Sequence, residues 1–122
     1  MTIPPSPSVK RGDVVLVLFP NSDLRTAKTR PALVIQADAL NTGLPQVIVA
    51  MVSSQMFRAD HLSRVTILLN SPVGHASGLL SDSAVMTDNL STVSSAAISE
   101  VIGYLPMPEV DAALKHTLGW HA

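Results

Sequence analysis

Arg25, Lys28 and Arg30 set three cations within six residues, in a polar stretch between two runs rich in Val, Leu, Ile and Phe. A guanidinium presents planar, paired N–H donors that match phosphate oxygens, and it keeps its charge at any relevant pH. Arg30 also precedes Pro31, whose ring restricts the backbone of the residue before it. Such a cluster between two strands suits the binding of a phosphodiester. Ser53-Ser54-Gln55 closes a further apolar run; its hydroxyls can bond a phosphate oxygen, and the same triplet is also an ordinary strand terminator. Asp88 stands between two short β-prone stretches, where a turn residue would. Arg11-Gly12-Asp13 reads as a turn opening the first run, and His61 and His75 read as loop histidines.

The elements that position these side chains follow from pattern. Val14–Phe19 predicts a strand that Pro20 stops, and Asn21 to Thr29 predicts a cationic loop. A second strand is expected from Arg30, pairing fully only over Ala32–Gln36. Further strands are expected at Gln46–Val52, Ser63–Leu69, Ala84–Thr87, Ser91–Val93 and Val101–Leu105, with Ser71-Pro72-Val73-Gly74 as punctuation. The terminal helix is the clearest element. Pro108 suits its first turn, Glu109 and Asp111 lie near its start, and Lys115 and His116 lie near its end. Val110, Ala113, Leu114, Thr117 and Leu118 form one apolar stripe, and Gly119 supplies the stop. Six or seven short strands and one helix predict a mainly β fold, a compact antiparallel barrel with the C-terminal helix packed on it.

Composition bounds the rest. With 122 residues, residues 10–122 make one domain behind a Pro- and Ser-containing leader at 1–9. Hydrophobic residues are 47% and aromatics only 3%, so Val, Leu, Ile, Ala and Met must fill the core. Charged residues are 14%, and so bland a surface favours burial against a partner. The net charge of −1 is uneven: residues 1–64 carry +3 and residues 65–122 carry −4. Any phosphate site is therefore local to the N-terminal half. With no Cys, disulfides, thiolate metal sites and cysteine nucleophiles are excluded. The four His show no metal-ligand spacing, and no apolar run approaches membrane-spanning length. A cytoplasmic protein without metal or other cofactor is the expectation.

Four motifs in order resemble the PemK/MazF toxin family: RGDVVLVLFP with the Arg30-Pro31 pair, VIVAMVSSQ at 47–55, and GLLSDSAVMTDNLSTV at 78–93. The resemblance implies an SH3-like antiparallel β-barrel of the CcdB/MazF toxin type. It also implies the toxin of a type II toxin–antitoxin pair, a metal-independent endoribonuclease that cuts single-stranded RNA by attack of the 2′-hydroxyl. On this resemblance Arg30 is the catalytic cation, Ser53 stands where the family usually carries Thr, and Asp88 matches an acidic residue proposed to take the 2′-hydroxyl proton. Arg25, Lys28, Ser54 and Gln55 would position substrate. A cognate antitoxin and a homodimer are the implied protein partners. Three departures stand out: Arg25 where a Glu is common, Asn89 in place of Gln, and Ser91 where Arg or Lys is frequent. They leave two alternatives open, a degenerate member that binds antitoxin but cuts poorly and a non-enzymatic, CcdB-like gyrase-directed toxin. The C-terminal Gly119-Trp120-His121-Ala122 speaks for the latter, and the Arg-Pro and Ser-Ser-Gln motifs speak against it.

Overall fold

The apolar runs that read as near-continuous do so because the sheet they form is buried on both faces. A computed structural model describes residues 8–20, 23 and 25–120. Within them lie β1 (Asp13–Pro20), β2 (Ala27–Val34), β3 (Gln46–Ser53), β4 (Arg64–Ile67), α1 (Pro72–Ser77), β5 (Ser83–Ser94), β6 (Ile98–Tyr104) and α2 (Pro108–Leu118). A 3₁₀ turn at Ser95–Ala97 joins β5 to β6. Alternate residues serve opposite faces, as the strand period of two demands. Leu33, Ala50, Val52, Val65, Ile67 and Val85 pack with Val110 and Ala113 of α2. Val15, Val17, Ala32, Val34, Val47 and Val49 form a second cluster with Val93 and Ile98. Val9, at the end of the expected leader, packs against that second cluster; the leader's first seven residues lie outside the described ones.

The antiparallel ladder runs β4-β5-β3-β2-β1-β6, so β4 and β6 are its two edges and the expected barrel does not close by strand pairing. Between those edges lies α1, at the segment where the sequence pattern predicts only punctuation. Ser71 caps it by accepting from the Gly74 N–H at 3.0 Å, and Pro72 occupies its first turn. It packs between the two edges, backbone against backbone. A Cβ on Gly74 would meet Leu68 O at 2.1 Å, beside the end of β4. On β6, a Cβ on Gly103 would meet Ala76 O at 2.3 Å. Gly78, with φ +74, ends the helix in the left-handed region and lies against Ile102.

Other boundaries move in informative ways. β2 begins at Ala27, so Lys28 and Thr29, expected in the loop, lie with Arg30 on a strand paired with β1. Of the expected loop, Asn21, Ser22 and Leu24 lie outside the described residues. The two strands expected around Asp88 are one strand, β5, interrupted by a bulge. Adjacent Ala50 and Met51 pair with Leu90 and Met86, which leaves Thr87, Asp88 and Asn89 between them. β4 is shorter than Ser63–Leu69, and β6 starts earlier than Val101. α2 and its left-handed Gly119 stop follow the expectation, except that Leu118 faces solvent.

Candidate functional site

Sheet register decides which of the predicted residues share a surface. β2 pairs with β3 over Ala32↔Met51, Leu33↔Ala50 and Val34↔Val49, and the bonded pairs stop at Pro31. Proline has no N–H to carry the ladder on. Continuing that register by two residues would set Arg30 opposite Ser53, beyond the last bonded pair. Lys28 and Arg30 alternate with Ala32, so both lie on its face; Ser53 shares that face through Met51 and Val49. Lys28 and Arg30 are exposed, and their side chains hold no hydrogen bond or ion pair among the described residues. Arg30 is thus a charged donor without a protein acceptor, beside a hydroxyl at the point where two strands cease to be bonded.

Around Ser53 the chain turns sharply. Ser53 Oγ accepts the Gln55 N–H at 3.0 Å, which holds the exposed Ser54-Gln55 pair at the strand end. Arg25 precedes β2 in a turn built on Asp23, whose Oδ1 accepts the N–H groups of Arg25 at 2.9 Å and Thr26 at 3.1 Å. Those bonds, Arg25's first and Thr26's second, hold the Asp23 carboxyl below its ordinary value.

Asp88 lies elsewhere on the sheet. Its Oδ2 meets Arg64 Nη2 at 3.3 Å, and it makes no hydrogen bond to Arg30 or Ser53. The bulge that carries it is pinned by its neighbour Thr87, which is fully buried. The Thr87 N–H donates to Ser63 O at 3.0 Å, and its hydroxyl lies 2.7 Å from Thr117 Oγ1 on α2. Arg64 and Thr66 are residues that sequence reasoning passed over. Arg64 pairs across to Met86, which pairs with Met51; Thr66 pairs to Ala84, which pairs with Ser53. Both therefore share the face of Arg30 and Ser53. The alternation Arg64-Val65-Thr66-Ile67, polar out and apolar in, is the signal that could have found them.

Among the described residues no group of three or more His, Asp or Glu is gathered as a metal cluster, and no helix is long and apolar enough to cross a membrane.

A small antiparallel β protein, with an open sheet, a C-terminal helix and an exposed Arg and a Ser on one sheet face, defines the class. Residues 10–118 match the model of the PemK-like, MazF-like toxins of type II toxin–antitoxin systems, and the chain belongs to that family. Solved structures share the fold. One is an endoribonuclease in complex with its cognate antitoxin from Mycobacterial species, with TM-score 0.70 at 18% identity over 93% of this chain and 98% of that one. Another is the MazE–MazF complex (Form-II) of Deinococcus radiodurans, with TM-score 0.72 at 19% identity over 94% and 99%. A third is the Mycobacterium tuberculosis toxin MazF-mt6, with TM-score 0.69 at 20% identity over 90% and 99%.

Proposed function

We propose that this protein is the toxin of a type II toxin–antitoxin pair and an endoribonuclease acting on single-stranded RNA. The observation that carries this reading is the β2–β3 register, whose extension beyond Ala32↔Met51 puts the unpaired Arg30 guanidinium and the Ser53 hydroxyl on one face. In the proposed reaction the substrate's 2′-oxygen attacks the adjacent phosphorus and the 5′-oxygen leaves. Products are a 2′,3′-cyclic phosphate and a 5′-hydroxyl end. The nucleophile belongs to the RNA, so the reaction as written draws on no metal. Arg30 stabilises the dianionic phosphorane through its paired donors. Ser53 bonds a non-bridging oxygen or the attacking hydroxyl, while Lys28, Arg25, Ser54 and Gln55 hold the chain on either side. Asp88 would take the 2′ proton only on leaving Arg64 and moving toward the Arg30 phosphate; the leaving oxygen is protonated from solvent.

The protein partner in this reading is an antitoxin whose acidic segment covers Arg25–Arg30. The engagement of Asp88 by Arg64 favours a second reading, a family member that keeps antitoxin binding and cuts slowly. One experiment separates them: incubate the purified protein with RNA in chelator, then determine the rate and the fragment ends. Cyclic phosphate and 5′-hydroxyl ends in high yield support the first reading; intact RNA overturns it.

A further inference from the structure

Arg64 has a role to account for. Its side chain is only 18% exposed, yet its sole hydrogen-bond acceptor among the described residues is one oxygen of Asp88, at 3.3 Å. Its Nε is buried with no acceptor. A guanidinium offers five donors in a planar fork, and a buried donor left unpaired is a penalty that proteins seldom retain without use. A one-pronged contact at this length is a poor return for burying an arginine if its only task is to brace the bulge.

The sheet supplies the missing acceptor's direction. Through Met86 and Met51, Arg64 lies on the face that carries Lys28, Arg30 and Ser53. It stands at the β4 edge, three strand intervals from β2, roughly 14 Å across the sheet. Between the two cations this face carries small or neutral side chains: Ala84 and Ser53 in one row, Met86 and Met51 in the next. No carboxylate interrupts that path; the one acidic group at its far end, Asp88, is already on Arg64.

We propose that Arg64 is a second phosphate-binding residue of the RNA surface, contacting a phosphate other than the one held at Arg30. The inference rests on the RNA reading above. Asp88 holds the guanidinium at the surface of the bulge in the free protein. A phosphate seated there provides the acceptors that Arg64 lacks, and a small rotation presents its Nε beside an Nη for a two-pronged contact. Nucleic acid crossing the face from β2 to β4 would thus be gripped at both ends, with Ser53 between them.

The test is equilibrium binding of a random-sequence, fully 2′-O-methylated RNA pool, which cannot be cut by 2′-oxygen attack, across a salt series. Wild type binds with salt-dependent affinity. Arg64→Gln binds about tenfold more weakly, and the slope of log K against log salt falls by ~0.7, the value of one single-strand phosphate contact. Arg64→Lys keeps the slope and loses affinity a few-fold, because charge survives and the fork does not. A purely bracing Arg64 would lower thermal stability in both variants and leave the slope alone. Wild-type affinity and slope in both variants overturn the Arg64 assignment while the RNA reading stands. Absence of salt-dependent binding by the wild type overturns both. If Arg64→Gln does not fold, Arg64→Lys decides: unchanged affinity overturns the proposal.

Discussion

Thr87 Oγ1 on the β5 bulge and Thr117 Oγ1 on α2 lie 2.7 Å apart, so a strand irregularity and the C-terminal helix share one hydrogen-bond node. The same Thr87 hydroxyl reaches Ser63 O, and the Thr87 N–H donates to that carbonyl as well. Three segments distant in sequence therefore meet at one buried side chain. The bulge is held open from behind while Asp88 projects beside it.

Thr87→Val keeps the shape and removes the node. The expected loss is about 1–3 kcal/mol of folding stability, since buried partners lose their bond. Chemical denaturation measures it. A midpoint unchanged from wild type would show that the node is dispensable.

Arg30→Ala should lower single-turnover cleavage of RNA in chelator by about 10²–10³-fold, the usual loss for one preorganised transition-state donor. Its exposure means that no cavity opens and no buried charge is stranded, so circular dichroism should match wild type. Ser53→Ala should lose less, because a neutral hydrogen bond contributes roughly 0.5–1.5 kcal/mol. Arg30→Lys should fall between wild type and Ala.

Asp23 supplies a pH dependence. The N–H of Arg25, then that of Thr26, depresses its carboxyl below 3.8. The contribution of this turn is complete above that unfolded value and is lost as pH falls through the lower folded value. A carboxyl-carbon NMR titration should show the Asp23 midpoint below 3.8. A midpoint at or above it would mean that the turn is not formed in solution.

A homodimer is expected in solution. Phe57, Leu62, Leu80, Tyr104 and Trp120 are each more than 60% exposed, an apolar load that a two-fold contact would cover. Sedimentation at micromolar concentration should give twice the chain mass; a single monomeric species would refute this. With an antitoxin bound, Arg25→Glu should weaken the pair strongly, and added salt should weaken it further. Titration calorimetry reads both.

Gly103→Ala tests the helix-filled seam. The added methyl would lie 2.3 Å from Ala76 O, a backbone atom that cannot swing aside. Overpacking of this kind typically costs about 1–3 kcal/mol, and thermal melting should fall accordingly.

Much of this was legible beforehand because it is written in local periodicity. α2 declared itself through Pro108, the Val110 stripe and Gly119, and β1 and β3 through runs of Val and Ile. What was missed depends on partners remote in sequence. β2 starts at Ala27 because β1 offers a ladder to Lys28 and Thr29, a tertiary gain that the loop-like composition of 21–29 conceals. α1 is six residues long, too short for a periodic signal, although Ser71-Pro72 and Gly78 mark its ends. In the sequence alone Arg64 stands out only as a charge. Its face is set by pairing to Met86, a relation between strands that no single segment displays.

The helix between the sheet's edges has a mechanical consequence. Every other neighbouring pair of strands is zipped by backbone hydrogen bonds. Among the described residues none crosses from α1 to β6, which are held by glycine-to-backbone contact and by Val73 and Ile102 packing on the shared core. Dispersion contacts of that kind lose about a quarter to a half of their attraction over a gap of roughly 0.5–1 Å. The line along Gly78 and Gly103 is therefore the one seam around the curled sheet that is closed by packing and not by a strand ladder.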